Sequence, residues 1–583
     1  VSEAGALRDG VAEAARLPAT ESWDVAVVGG GAAGLTAASV AAAEGCTVVL
    51  LEQAAVVGGT TAISGGMVWI PCSGKAAAGQ RADSLDAART YLERVLPPGD
   101  RRRLEAFLAW GPEAVRDLEA RTALRLQAVV PYPDYYPDRP GATAGGRVLE
   151  PAPYDARALG DAFALLRDPL PEFTLFGGMM VSRADIPQFR RAARSPRAAF
   201  AVARLLLRYG VQRLRARRGT TLYLGNALAA RLLQSALDGG VAVRTGITVE
   251  RLCTDADGRV GGVVAVDAGG ARREIGCRRG VILATGGLSR DPALRARYVP
   301  AEAGDVTAAI DPGRAPRGAR LAADIGARLS DASEQGAFWV PASLFQRADG
   351  SRGVFPHTVT DRAKPGLIAV GRDGRRFVNE AVSYHEFVKA QLASGDLAIP
   401  AWLLCDRRFL WTYGLGKVKP FARSVRGEVA GGYLRRGDSI GALAGAIGVP
   451  AGALVQTVDS YNRHARDGED PVFGRGGTIY QRHLGDADQT PNPCVAPIEQ
   501  APFYAVAVWP ADLGMAAGIV TDEWGRVVRE DGSVIENLYA CGNDMASVME
   551  GAYPGPGITL GPAITFGWLA GRHAATAHRG RFN

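Results

Sequence analysis

The chain has 583 residues, 47% of them hydrophobic and 22% charged, which excludes a disordered or fibrous polymer and allows a large buried core. The net charge is +7, with 67 Lys and Arg of which only five are Lys; acids are interleaved throughout, so the basic balance reads as solvated surface and not as a nucleic-acid footprint. No run of about 18 apolar residues occurs, so no membrane span is expected.

In chain order, residues 1–20 lack an apolar h-region and read as a lead-in, not a signal peptide. Asp24 to Val28 is a β-branched run of the buried parallel-strand type. A glycine loop, Gly29 to Gly34, follows at once, then an alanine-rich helix to Glu44. A second strand, Thr47 to Leu51, ends at Glu52. A further glycine cluster spans 58–66. Residues 84–125 and most of 187–238 read as helical, with a Pro/Tyr/Gly loop at 131–147 between them. Strands resume at 241–244, 261–266 and 281–283, the last running into Ala284-Thr285-Gly286-Gly287. From about 335 to 512 the pattern becomes mixed α+β. A strand leads into Cys541-Gly542-Asn543, and a Pro-Gly loop at 553–557 precedes a closing helix, 559–575. The expected organisation is an α/β domain over 21–334 carrying a helical lid at about 85–235, an inserted lobe over 335–512, and the completion of the first domain over 513–583.

The seven cysteines are widely spaced and form no CxxC pair, and the six histidines show no metal spacing. No metal site is expected, and the thiols suit a reduced, cytoplasmic protein.

Gly29-x-Gly31-x-x-Gly34 alone is weak evidence. Here it follows a strand and opens a helix, and Glu52 ends the next strand, which together make a dinucleotide fingerprint. Gly29 permits the tight turn, Gly31 admits a pyrophosphate to the backbone, and Gly34 lets helix and strand pack closely. The helix N-terminus offers N–H groups and a positive dipole to phosphate. Glu52 can accept from a ribose diol. No second fingerprint appears, while glycine clusters recur at 284–287, 542–543 and 555–561. That distribution suits one long cofactor touched by several segments.

Six stretches carry a family resemblance: Gly29 to Gly34, GGTTAISGG (58–66), PDYYPDRPG (133–141), ATGG (284–287), RRFVNEAVSY (375–384) and YPGPGITLGPAITFG (553–567). Together they resemble the 3-ketosteroid Δ1-dehydrogenase branch of the fumarate reductase/succinate dehydrogenase flavoproteins. The resemblance implies an α/β fold: a glutathione-reductase-type, Rossmann-like FAD domain built from both chain ends, with an α+β catalytic domain inserted. It implies FAD, held without a covalent bond because no His lies between Gly58 and Gly66. Its binding set would be Gly29, Gly31, Ala33, Gly34 and Glu52; Gly59, Thr60, Thr61, Ser64, Gly65 and Gly66; Val249, Thr285 and Gly286; and Gly542, Asn543, Thr559 and Leu560.

The resemblance also implies the chemistry, a 1,2-desaturation of a cyclic ketone to the conjugated enone. Tyr384 would take the α-proton with Tyr135 as its helper, and FAD N5 would accept the hydride. Tyr553 and the Gly557 N–H would hold the carbonyl oxygen. The alternative is a fumarate-reductase-like enoate or dicarboxylate reductase. Those relatives need a catalytic Arg where this chain has Tyr384, which favours a neutral ketone. The 143–225 segment is long for this branch, so a 3-ketosteroid and a smaller alicyclic ketone such as a cyclohexanone both stay open. Electrons would leave to an external acceptor: a quinone, a dye-like or flavoprotein acceptor, or O2.

Overall fold

The computed structural model describes residues 21–75, 83–129, 131–182, 185–192, 194–308, 316–331 and 336–577. The lead-in expected at 1–20 lies outside them. The main sheet is built on the strand Glu21–Val28, which pairs in parallel with Val48–Glu52 on one side and Arg272–Leu283 on the other. Ala242–Thr245 extends one edge and Val534–Ala540 the other, both parallel, so the C-terminal strand completes a sheet begun by the first. Residues Val25 to Val28 are buried on both faces, which accounts for their unbroken β-branched run. The first half of Arg272–Leu283 pairs on its other side, antiparallel, with Val260–Val266, which in turn pairs with Thr248–Thr254, while Ile275 to Cys277 stay paired with Glu21 to Trp23.

The helix Ala32–Ala43 is buried almost all round because the closing helix Leu560–Thr576 lies against it. Small residues make that approach possible. A Cβ on Gly567 would stand 2.6 Å from the Ala33 carbonyl oxygen, and one on Gly571 would stand 2.5 Å from that of Ala37. The glycines at i and i+4 therefore form a flat stripe on one helix face.

A second, antiparallel sheet lies within 337–515, in the order Arg352–Pro356, Ala337–Gln346, Phe503–Met515, Ala401–Cys405, Leu367–Val370. Arg435–Gly437 adds to Phe503–Met515. The helix Tyr384–Ala393 packs on Ala337–Gln346. Buried Asp512, near the end of the central strand, bonds Arg295 and accepts from Ser289 Oγ at 2.7 Å and Thr307 Oγ1 at 3.0 Å. That carboxylate ties the second sheet to the 289–307 segment that follows the main sheet's strand Arg272–Leu283. No helix among the described residues is long and apolar enough to cross a membrane.

Candidate active site

The glycine loop behaves differently at each of its three positions. Gly29 has φ +112°, and a Cβ there would stand 2.2 Å from the Ala284 carbonyl oxygen; at Gly34 it would stand 1.9 Å from the Gly29 oxygen. Both are obligatory for packing. At Gly31 a Cβ would meet nothing closer than Thr61 Oγ1 at 4.0 Å. The middle glycine thus faces open space, as a cradle for an approaching pyrophosphate requires. Gly59 lies over it, with its own Cβ direction 3.6 Å from Gly31 Cα. Thr61 Oγ1 accepts from the Ala32 N–H at 3.0 Å, which seats the 58–66 run on the helix N-terminus. Thr60 stands just ahead of the short turn Thr61–Ile63, Ser64 Oγ donates to the Thr61 carbonyl at 2.8 Å, and the Gly66 N–H donates back to Ser64 Oγ at 3.1 Å. Gly65 has no neighbour in its Cβ direction, whereas Gly66 is pressed against Gly225.

The Glu52 carboxylate accepts from the Gly30 N–H at 2.7 Å and the Ala54 N–H at 2.8 Å, which fixes it at the strand end. Beside it a small cavity of about 30 Å³ is lined by Gly29, Glu52, Val249, Thr285 and Arg317, among others. Gly542 packs on Ala33, and Asn543 lies over Gly514 and Gly287. Gly286 is open in its Cβ direction, and Thr559 and Leu560, half-buried, begin the closing helix.

Asp544 was not singled out by the sequence motifs. It is buried and accepts from Thr285 N–H, Thr285 Oγ1 (2.8 Å) and Gly287 N–H (2.9 Å). It therefore clasps the ATGG loop to the C-terminal strand. Burial pushes its carboxyl pKa upward, against the lowering pull of those donors.

The three tyrosines meet. Tyr135 comes from the 131–147 loop, Tyr384 is the first residue of its helix behind the Ser383 cap, and Tyr553 lies in the Pro-Gly loop. Tyr135 OH donates to Tyr384 OH at 3.0 Å, and Tyr384 OH donates to Tyr553 OH at 2.8 Å. In that orientation the Tyr553 proton is left for an outside acceptor. The rings pack as well: Tyr135 stacks on Tyr553 with centroids 5.6 Å apart, and Tyr384 meets Tyr553 edge-on at 5.1 Å. All three are buried. Burial raises the phenols of Tyr135 and Tyr384 well above 10 and pushes Tyr553 up to about 12.

Gly557 lies four residues beyond Tyr553 at φ +95°, and a Cβ there would stand 2.4 Å from the Met67 oxygen. Its carbonyl accepts from Trp69 N–H and Gly561 N–H, while its own N–H donates to no protein acceptor among the described residues.

A buried scaffold holds Tyr135 and was not visible in the sequence. Asp134 accepts from Trp69 Nε1 at 2.9 Å and pairs with Arg147 at 2.8 Å, and Arg147 also pairs with Asp83 at 2.8 Å. Burial pushes the Asp134 carboxyl up to about 6, against the pull of Arg147. The Pro554 carbonyl accepts from both Tyr135 N–H (2.9 Å) and Tyr91 OH (2.6 Å), stitching the two loops together. Tyr480 packs on Tyr135 at 4.7 Å, and no sequence motif marked it. Tyr135 and Tyr480 also border a cavity of about 360 Å³ lined further by Tyr136, Arg139, Ser383 and Glu386.

His385 is buried and neutral. Its Nδ1 accepts from Trp339 N–H at 3.2 Å, and burial lowers its pKa to about 4. Trp69 is core, Trp110 packs with Trp524 and Trp568, and Phe176 is 66% exposed, so Phe176 lines no interior pocket. A Ser343–His357–Asp361 chain is also present, at 2.8 and 2.6 Å, but all three are buried and Ser343 Oγ is shared with Tyr433 OH; it braces the second sheet.

Two arginines with buried side chains, Arg362 and Arg376, are committed, whereas Arg139 lines the cavity beside Tyr135. Arg362 donates to the carbonyls of His357, Thr358, Glu380 and Val382, and Arg376 pairs with Glu380 and Asp470. Neither is free to clamp a carboxylate.

This fold and cradle define a dinucleotide-binding flavoprotein, and the chain belongs to the FAD binding domain family, whose model matches residues 24–560. FAD is its cofactor, and the open Gly31 cradle, the Thr61-seated helix N-terminus and Glu52 fit such a group. The chain is 38% identical over 528 residues to a 4-oxocyclohex-2-ene-1-carboxylate 5-dehydrogenase of Sinomonas cyclohexanicum, covering 90% of this chain and 89% of that protein. It is 35% identical over 533 residues to a 3-oxosteroid 1-dehydrogenase of Mycobacterium tuberculosis, covering 88% and 92% respectively. Among solved structures, a 3-ketosteroid Δ1-dehydrogenase from Sterolibacterium denitrificans, in complex with 1,4-androstadiene-3,17-dione, superimposes with a TM-score of 0.87 at 37% identity. That match covers 96% of this chain and all of the other.

Proposed function

We propose that the protein is an FAD-dependent dehydrogenase that removes two hydrogens from adjacent carbons of a cyclic ketone, leaving the conjugated enone. The observation that carries this reading is the hydrogen-bonded run Tyr135–Tyr384–Tyr553; four residues beyond Tyr553, the Gly557 N–H donates to no protein acceptor among the described residues. When bound, FAD supplies the hydride acceptor. Everything else falls to side chains and backbone. The Tyr553 OH and Gly557 N–H hold the carbonyl oxygen and take up charge as the enolate develops, each donor contributing a few kcal/mol. Tyr384 takes the α-proton, helped by Tyr135, which donates to its oxygen and so stabilises the phenolate. With Arg362 and Arg376 committed elsewhere, neither can pair with a substrate carboxylate, and Tyr384 stands where a dicarboxylate reductase needs an arginine, which favours a neutral reacting carbonyl.

The clamp reads the carbonyl and the two carbons beside it. A steroid A ring and a monocyclic ketone present the same atoms, and the two relatives above are named for these two substrate types. The electrons taken up by a bound FAD would leave to an external acceptor: a quinone, a flavoprotein or dye, or O2. The seven cysteines are all free thiols, which supports a reducing, cytoplasmic setting.

The test is anaerobic bleaching of the bound flavin by a panel running from cyclohexanone and 4-oxocyclohexanecarboxylate to androstenedione. Bleaching by at least one cyclic ketone, with formation of its enone, is the expected outcome. Reoxidation of reduced enzyme by fumarate, with no ketone bleaching, would overturn the reading in favour of dicarboxylate reduction.

A further inference from the structure

One stretch is used by none of this chemistry. Between residues 186 and 218 there are ten arginines and no aspartate or glutamate. The stretch contains the 18-residue helix Pro196–Arg213. At 100° per residue, Phe200, Ala203, Leu207, Val211 and the C-cap Leu214 fall on one stripe. That stripe points outward: Phe200 is 74% exposed, Leu207 71%, Val211 57% and Leu214 83%.

The opposite face carries the anchoring contacts. Tyr209 OH donates to the Phe176 carbonyl at 2.8 Å, and Gln212 bonds Thr221 Oγ1 at 2.7 Å and Thr220 N–H at 3.0 Å. The helix is therefore mounted the wrong way round for water, with its polar contacts inward and its apolar stripe outward. Phe176, held beside it, and Ile186 add two more exposed apolar side chains. Arg197, Arg204 and Arg208 run along one edge of the stripe, and none of them pairs with a carboxylate among the described residues.

Three occupants can be weighed on charge and polarity. A second copy of this face would bring two arginine rows together with no acid to pair them. A nucleic acid would engage the arginines and leave the Leu/Val stripe in water. An anionic lipid surface satisfies both features, since acyl chains take the stripe and phosphates take the arginines.

We propose that the helix Pro196–Arg213 lies in the headgroup boundary of an anionic bilayer, with Phe200, Leu207, Val211 and Leu214 dipped toward the acyl chains and the arginine row on lipid phosphates. The helix rests on the surface and does not span it. The inference is independent of the ketone chemistry.

The experiment is sedimentation of the FAD-loaded full chain with vesicles of phosphatidylcholine alone or with added phosphatidylglycerol, at low and high salt. The chain is expected to bind the anionic vesicles and to be released by salt, because the arginine contribution is screened. L207E/V211E should lose binding by about tenfold or more. R204Q/R208Q should lose the preference for anionic lipid. Flavin content and thermal midpoint, both unchanged, show that each variant is folded. No binding to anionic vesicles at low salt would overturn the proposal, as would L207E/V211E binding like the parent. Tight binding of duplex DNA in place of vesicles, or a dimer in sedimentation velocity that L207E/V211E dissolves, would overturn it in favour of the other occupants.

Discussion

Replacing Tyr384 by phenylalanine removes one oxygen atom and two hydrogen bonds, those at 3.0 Å from Tyr135 and at 2.8 Å to Tyr553. The ring and its edge-on packing against Tyr553 remain, so the change tests the proton path with little disturbance of shape. Loss of a positioned base lowers the rate by about 10²- to 10⁴-fold, on the order of 3–5 kcal/mol of barrier. The Tyr135 hydroxyl is left buried without its acceptor, which costs roughly 1–3 kcal/mol of stability. Tyr135→Phe is a different perturbation. Tyr384 keeps its hydroxyl and loses only one donor to the developing phenolate, an effect of about 10- to 100-fold. The assay is stopped-flow flavin bleaching by ketone without oxygen, which isolates the half-reaction from the electron acceptor. The expected order is wild type, then Tyr135→Phe, then Tyr384→Phe. Equal rates for wild type and Tyr384→Phe, with full flavin content, would refute the assignment of the base. A larger loss at Tyr135 than at Tyr384 would reverse the two roles.

Since burial holds the Tyr384 phenol well above 10, only a small fraction is ionised at neutral pH, and the bleaching rate should climb with pH through the alkaline range; a plateau below pH 7 contradicts this. The same raised phenols bind protons more tightly folded than unfolded, so stability falls as pH rises past about 10, and Tyr384→Phe should soften that alkaline loss in pH-dependent denaturation. At the acid end, His385 is held near 4 from an ordinary 6.5. Its contribution is intact above 6.5 and fades as pH falls toward 4, by about 3 kcal/mol in all; His385→Asn, whose Oδ1 falls at the Nδ1 position and can accept from Trp339 N–H, should flatten that part of the stability curve. Gly31→Ala should leave the apoprotein's thermal midpoint unchanged and weaken FAD retention, whereas Gly34→Ala, pressed 1.9 Å from the Gly29 oxygen, should lower the midpoint itself; equal effects at both positions would undo the distinction between cradle and packing glycine.

What could be read from the chain alone was whatever is local. The strand, glycine loop, helix and terminal Glu52 lie within some 30 consecutive positions, and each has a signature in residue type and spacing. The Tyr384 and Tyr553 segments were legible through family motifs, not through spacing, because 169 positions separate two hydroxyls that touch. The scaffold residues had no such signal. Asp134 looks like one more polar loop residue until Trp69 and Arg147 close on it, and Asp544 is unremarkable until the ATGG loop donates to it. The strand Arg272–Leu283 shows the same limit. Its sequence reads as strand only at 281–283, since the first half is part-exposed, starts with Arg272, Arg273 and Glu274, and is followed by exposed Arg278.

The geometry also says when the site exists. Tyr135 belongs to the loop braced by Asp134 and Arg147, Tyr384 to a helix packed on the second sheet, and Tyr553 to the loop ahead of the closing helix. No two are neighbours in sequence, and the Pro554 carbonyl joins the first and third through Tyr135 N–H and Tyr91 OH. The hydrogen-bonded run forms only when all three segments are docked, so a loosened second sheet breaks it at Tyr384 while the FAD cradle stays intact. Flavin binding and ketone turnover are therefore separable by mutation. Changes at the Asp512 clasp, which ties the second sheet to the 289–307 segment, should lower turnover before they release the flavin. Asp512→Asn tests this directly: it strips the charge that balances Arg295 in a buried setting, where breaking one partner of an ion pair costs about 3–5 kcal/mol. Loss of flavin ahead of turnover in that variant would mean that the cradle, not the tyrosine run, depends on the docking of the second sheet.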